Sequence, residues 1–318
     1  MKACYQTQGK QRYDLIGDVH GYADELKILL RRLGYKKRRG CFRHTTRKAI
    51  FLGDLIDRGP QIPEALRIVR DMVQEGEALA VMGNHEYNAI RFHAKGPNGF
   101  LRRHTAKNLN QHRATLQAFA GRTAEWTDYL RWFQGLPLFI DLEDVRVVHA
   151  CWCEDAIKVL GGCNALTEEI VGGYTKTARV RRAAVEMLLR GKEIRLPQGH
   201  CFTDKDGTPR SIIRVRWWLA GKRRTYRELA IPGANTVPNL RIKREIESSL
   251  AGYSNSAPPI MIGHYCLSHP EIEPLATNIA CLDYGVIAGG PLVAYRWNGE
   301  RVLTRRNFVT SRTEKETY

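Results

Sequence analysis

Five short segments place Asp, His or Asn directly after an apolar run. Gly17-Asp18-Val19-His20-Gly21 follows residues 13–16, and Gly53-Asp54-Leu55-Ile56-Asp57-Arg58-Gly59-Pro60 follows residues 49–52. Gly83-Asn84-His85-Glu86 follows residues 78–82. Further on, Val147-Val148-His149-Ala150 and Ile262-Gly263-His264-Tyr265 each end an apolar run in a histidine. Singly, each has an ordinary reading. A Gly-Asp after a strand is commonly a helix cap, Asn84 alone is a turn residue, and a histidine beside an apolar run is commonly a satisfied core residue. Together they are a different signal, because no structural need requires the coincidence. Mixed imidazole and carboxylate ligands suit Mn, Fe, Zn or Co better than Ca. The ligands are also too many for one tetrahedral zinc, so two cations are the natural reading.

These residues need a scaffold that brings the ends of several strands to one edge. Residues 13–16, 49–52 and 78–82 read as buried strands, each stopped by glycine. Ala23, Leu26, Leu30 and Leu33 recur at helical spacing, as do Ile62, Ala65, Leu66, Val69, Met72 and Val73, with Pro60 and Pro63 suited to a first turn. Three β-α units in succession predict a sheet covered by helices, with chemistry at the carboxyl ends of its strands. Residues 86–134 read as polar helices with Leu116, Phe119, Trp126, Leu130 and Phe133 buried. Residues 138–140 and 145–148 read as a hairpin turning at Glu143-Asp144. Strands return at 259–262, 278–282 and 292–295, whereas 152–257 mixes Gly, Pro and charge irregularly.

The chain has 318 residues, with 50 Lys and Arg against 33 Asp and Glu, a formal charge of +17. Its 43% hydrophobic content excludes a disordered chain and suffices for a full core. The charge favours polyanionic partners. No apolar run approaches the roughly 20 residues that cross a bilayer, and residues 1–14 contain no segment of the signal-peptide type. Eight cysteines are too sparse for a disulfide framework. The expectation is a cytoplasmic protein with reduced thiols and no membrane partner.

The motif blocks, with the closing segment Ala280-Cys281-Leu282-Asp283-Tyr284-Gly285, resemble the calcineurin-like metallophosphoesterase superfamily. The nearest likeness is its phosphoprotein-phosphatase and symmetrical diadenosine tetraphosphatase branch. The blocks span residues 13–295, and 152–257 carries none of them. The resemblance implies an α/β fold, the αββα sandwich of two mixed sheets flanked by helices. Residues 1–151 and 258–310 would form the core, 152–257 an inserted cap, and 311–318 a disordered tail. It further implies that Asp18, His20 and Asp54 hold one divalent metal and that Asp54, Asn84, His149 and His264 hold a second, with Asp54 bridging. Manganese is the leading choice, with Fe, Zn, Co or Ni as alternatives. A hydroxide shared by both metals would attack phosphorus in line. Arg58 would clamp the phosphoryl oxygens with its planar fork. His85 would protonate the leaving oxygen, with Asp57 orienting its ring.

Members of that branch also use a second arginine and a tyrosine near the phosphate. Arg214 and Arg216 are candidates, since strand alternation would set both on one face; a charged outer face is the ordinary alternative. Tyr265 either approaches the substrate or packs beside His264. Trp217 and Trp218 either stack on a base or fill a core. The basic runs Lys36-Lys37-Arg38-Arg39, Lys222-Arg223-Arg224 and Arg241-Ile242-Lys243-Arg244 read as solvated loops or as steering for an anionic substrate. A dinucleoside polyphosphate or similar nucleotide-like polyanion is the favoured substrate, and a serine/threonine phosphoprotein is the alternative. A nucleic-acid-binding or regulatory protein that keeps the fold is the reading from another class. Charge alone supports it, and every ligand and acid residue is present.

Overall fold

The computed structural model describes residues 11–203, 209–219, 223–231, 236–248, 250, 252–267 and 271–312. The chain divides into two compact units. One is Met1–Leu189 with Pro258–Tyr318, and the other is Arg190–Ala257. Residues 152–189, read from sequence as part of the insertion, therefore cluster with the first unit. A hydrogen-bond reason is visible: the amides of Ala150 and Cys151 both donate to the Leu188 carbonyl.

The first unit contains two mixed sheets. In chain order its main elements are β1 (Arg12–Ile16), α1 (Ala23–Arg32), β2 (Arg47–Phe51), α2 (Ile62–Gln74), β3 (Ala78–Ala80), α3 (Asn84–His93), α4 (Ala106–Ala118), α5 (Thr123–Gln134), β4 (Phe139–Asp141) and β5 (Arg146–Val148). They continue with α6 (Lys176–Arg190), β6 (Ile260–Ile262), β7 (Ile279–Cys281), β8 (Val293–Trp297) and β9 (Phe308–Thr310). The first sheet has the order β9-β8-β1-β2-β3, with β1, β2 and β3 parallel and β8 antiparallel to β1. The second has the order β7-β6-β5-β4, parallel except for the β4–β5 pair.

The central strands read as almost unbroken apolar runs because they are buried on both faces. Four of five residues in β1 and four of five in β2 are buried. α1 covers the sheet with Ala23, Leu26, Leu29 and Leu30, and α2 with Ile62, Ala65, Leu66, Ile68, Val69 and Met72. These are the stripes the spacing predicts. α4 departs from expectation. Leu116 is only half-buried, and the helix's two buried residues are His112 and Thr115.

The two sheets meet at their carboxyl ends. Leu282, just past β7, lies so close to Gly17 that a Cβ there would sit 2.1 Å from the Leu282 carbonyl oxygen. At the far end, Ser311 is held against Leu292, donating through its amide at 2.8 Å and accepting at its hydroxyl at 3.0 Å. Ser311, expected to open the tail, is thus held by the sheet, and residues 313–318 lie outside the described ones.

The second unit has an antiparallel sheet of Glu193–Arg195, Ile212–Val215 and Ala230–Ile231. Ile194, Ile213, Val215, Tyr226 and Leu229 form its core. Trp217 and Trp218 are buried, edge to face, with ring centroids 5.6 Å apart. Lys222 of the second basic run is outside the described residues. Among the described residues no helix is long and apolar enough to cross a membrane.

Candidate metal centre

The strand ends deliver the five motif segments to one place, and the backbone there is unusual. His20, Asp54, Asp57, Arg58 and His264 all have positive φ, between 46° and 72°. Side chains other than glycine pay for this conformation, at about 1–3 kcal/mol each, so the surroundings must hold them there. Glu86 does this at Asp54. Its carboxylate accepts from the amides of Asp54 and Gly83 at 2.9 Å and Leu55 at 2.8 Å. Glu86 lies in the first turn of α3, three residues after Gly83, and it is fully buried. Gly83 has to be glycine, because a Cβ would come within 2.3 Å of Asp54 Oδ1. Gly263 likewise leaves room for Asp18 Oδ1, which a Cβ would meet at 2.1 Å.

The Asp54 carboxylate is the hub. His149 Nε2 is 3.3 Å from its Oδ1, while His20 Nε2 and His85 Nε2 are 3.7 and 3.9 Å from its Oδ2. Asn84 Oδ1 lies 3.1 Å from His149 Nε2 and 2.6 Å from His264 Nδ1. Asp18 Oδ2 accepts from the His264 amide at 3.0 Å. His20, Asp54 and His85 hold ligand atoms within 4.8 Å of one another, as do Asp54, His149 and His264. The first grouping includes His85, which sequence reading gave a different task, and leaves out Asp18. The ring orientations are fixed from behind. His149 Nδ1 meets the Leu52 carbonyl at 2.7 Å and His20 Nδ1 the Ile56 carbonyl at 2.9 Å. A carbonyl only accepts, so each Nδ1 carries the proton, which leaves Nε2 as the nitrogen that would face a cation.

Charge in this pocket is out of balance without a cation. Burial, then the charges of Asp283 and Asp54, push the Asp18 carboxyl well above the usual carboxylate range. Its Oδ1 is buried with no hydrogen-bond partner among the described residues. Asp283 sits alongside, accepting from the amides of Cys266 and Gly285 at 2.6 and 3.0 Å. Burial and the Asp54 charge raise Glu86 to about 7. Burial raises Asp54 too, but the nearby His149, His85 and His20 outweigh it and hold Asp54 well below its usual range. A buried carboxylate oxygen with no partner, among imidazole lone pairs and a neutral amide oxygen, is a donor set that fits divalent transition metals.

His85 and Asp57 form a tight pair, with Nδ1 to Oδ2 at 2.5 Å. Burial disfavours the imidazolium, but Asp54 and Asp57 win and raise His85 to about 9. The other oxygen of Asp57 accepts from Thr115 Oγ1 at 2.6 Å and from His112 Nδ1 at 2.8 Å. Arg58, next in sequence, is exposed, and no side-chain bond to it is found among the described residues.

Three expected substrate contacts fare differently. Tyr265 is fully buried, and its hydroxyl donates to the Ala150 carbonyl at 3.1 Å. It packs edge to face on His264 at 5.4 Å, the second of the two roles read for it. Arg214 and Arg216 belong to the second unit. Arg214 faces Glu193 at 3.9 Å, and the strand ends at Val215, so Arg216 has no strand face to share with it. Sequence reading also passed over contributors. Glu86 was legible from its place in the first helical turn after Gly83. His112 and Thr115 carry no local signal, because their partner Asp57 is more than fifty residues away.

Residues 12–161 match the profile of the calcineurin-like phosphoesterase family. The asymmetrical bis(5'-nucleosyl)-tetraphosphatase PrpE of Oceanobacillus iheyensis is 29% identical over 140 residues, covering 44% of this chain and 55% of that protein. The matched segment thus spans about half the length of that relative. The symmetrical bis(5'-nucleosyl)-tetraphosphatase of Hamiltonella defensa is 26% identical over 311 residues, covering 90% and 94% of the two chains. The crystal structure of a cold-active protein-tyrosine phosphatase from a psychrophilic Shewanella species superposes with a TM-score of 0.54 at 16% identity, over 96% of this chain and 81% of that one. At that identity it bears on the fold alone. Strand ends that converge on Asp54 and a matching profile over residues 12–161 agree: that segment is similar to the calcineurin-like phosphoesterase family.

Proposed function

We propose that the protein is a metal-dependent phosphoesterase that hydrolyses a dinucleoside polyphosphate or a similar nucleotide-like polyanion. The observation that carries this is the Asp54 hub, ringed by imidazoles, with the partnerless Asp18 oxygen buried beside it. In this reading two divalent cations bind, Asp18, His20 and Asp54 holding one and Asp54, Asn84, His149 and His264 the other. Manganese is the first candidate. Bound cations of this kind supply Lewis acidity and make a bound water acidic.

The chain's own side chains do the rest. Arg58, exposed and without a side-chain partner among the described residues, binds the phosphoryl oxygens in its guanidinium fork. His85 keeps a proton on each ring nitrogen. It spends the Nδ1 proton on Asp57 and presents the Nε2 proton to the leaving oxygen. The carbonyls of Leu52 and Ile56 hold His149 and His20 in the tautomer that faces the cations. Both named relatives are tetraphosphatases, and the net charge of +17 suits a polyphosphate.

The test is a substrate panel in manganese, comparing diadenosine tetraphosphate, a phosphopeptide and an oligonucleotide. Diadenosine tetraphosphate should turn over best, and chelation or Asp54→Asn should abolish its turnover without unfolding the chain. Turnover confined to the phosphopeptide would replace the substrate assignment. Near-normal activity of Asp54→Asn would remove the metal assignment.

A further inference from the structure

We infer that His112 is a positioning residue for the leaving-group acid: with Thr115 it occupies one oxygen of Asp57, so that the other is committed to His85. This rests on the reading of His85 as that acid. A carboxylate offers two equivalent oxygens and turns freely about its last bond. Here the two are made unequal. Oδ1 takes His112 Nδ1 at 2.8 Å and the Thr115 hydroxyl at 2.6 Å, and Oδ2 takes His85 Nδ1 at 2.5 Å. Thr115 Oγ1 also accepts from the Asp57 amide at 3.1 Å, which secures the backbone at a residue with φ of 67°.

The His112 ring is itself held. The carboxylate only accepts, so His112 Nδ1 carries a proton. Trp126 Nε1 donates to His93 Nε2 at 3.0 Å, so that nitrogen has no proton, and His112 Nε2 lies 3.4 Å from it. Phe92 and Trp126 flank the ring with centroids at 5.1 and 5.8 Å. Three helices thus fix one imidazole: α3 through Phe92 and His93, α4 through His112 itself, and α5 through Trp126.

A second observation points the same way. The two buried residues of α4 are His112 and Thr115, at 5% and 0% exposure, while Leu116 is left half-buried. Burying polar groups is costly unless each is hydrogen-bonded. A helix serving only to cover a core would turn its leucine inward. This one turns inward the two side chains that reach Asp57.

The experiment pairs variants that keep the donor with variants that lose it. The amide of His112→Asn can take the place of Nδ1, whereas His112→Gln sets it at the far position; Thr115→Ser keeps the hydroxyl and Thr115→Val removes it. Each is assayed on phenyl phosphate and on 2,4-dinitrophenyl phosphate, whose leaving group needs no proton. His112→Gln and Thr115→Val should lower kcat on phenyl phosphate roughly 10- to 100-fold, a share of the 10²–10⁴ that general acids supply. KM should stay put, and the activated ester should be spared. The donor-keeping partners should recover most of the loss, and His112→Gln should add nothing in a His85→Asn background. Equal losses on both esters, or full activity in His112→Gln and Thr115→Val, overturn the inference. If His112→Gln fails to fold, the Thr115 pair gives the same readout. A wild-type chain that hydrolyses neither these esters nor diadenosine tetraphosphate defeats the functional reading instead, so the two failures are distinguishable.

Discussion

Asp57 and His85 show how neighbours decide what an ionisable group can do. Burial alone would strip the imidazole of its proton, yet two carboxylates reverse the outcome and hold His85 protonated to about 9. As a proton donor it is therefore active below that pH and lost above it. Cleavage of esters with poor leaving groups should fall on the alkaline side as His85 loses that proton, and His85→Asn should abolish that limb while hitting phenyl phosphate harder than dinitrophenyl phosphate. Equal losses on the two esters would remove His85 from the role. The same raised value has a stability side. In the metal-free chain the charged imidazole contributes stability below its ordinary 6.5, and this fades as pH climbs toward 9. Glu86 is the other residue on which much depends, since its carboxylate satisfies three buried amides. Glu86→Ala leaves those donors without partners, at about 1–3 kcal/mol for each unsatisfied group. It should lower the melting temperature and loosen Asp54 even where metal is saturating.

At the scale of elements, the β-α units before Asn84 were legible because every apolar run ends in glycine and each helix carries a regular stripe. α2 is the plainest case, and Leu66→Ala there should cost about 2–5 kcal/mol by opening a cavity under the first sheet; chemical denaturation measures it. α4 was not legible in the same way. Its period points Leu116 inward, but the demand of a distant carboxylate for donors outweighs the gain from burying one leucine. Hydrophobic periodicity registers only apolar burial. Arg214 and Arg216 mislead for the opposite reason: alternation is local, and the strand stops at Val215 before the pattern can place Arg216. The candidate ligand residues stood out because they fall within short loops after apolar runs, whereas His112 and Thr115, which reach Asp57, come from a helix far along the chain.

For the whole molecule, the candidate ligands divide between the two sheets. Asp18, His20, Asp54 and Asn84 follow strands of the first sheet, and His149 and His264 follow strands of the second. A cation that binds both sets contributes to folding by mass action, about 2.7 kcal/mol at a hundredfold excess over its dissociation constant. Adding manganese to stripped protein should therefore raise the melting temperature, and the gain should vanish in Asp54→Asn. An unchanged melting temperature would argue against a cation shared between the sheets. The His149–Leu52 and Gly17–Leu282 contacts sit at this seam. Each sheet has its own backbone ladder, whereas His149 and Asp18 reach across the seam with side chains that a cation would organise. Amide exchange should register this as a rivet does in a lap joint. Stripping the metal would speed exchange first along the carboxyl ends of β2, β5 and β6, leaving the outer ends of the same strands protected.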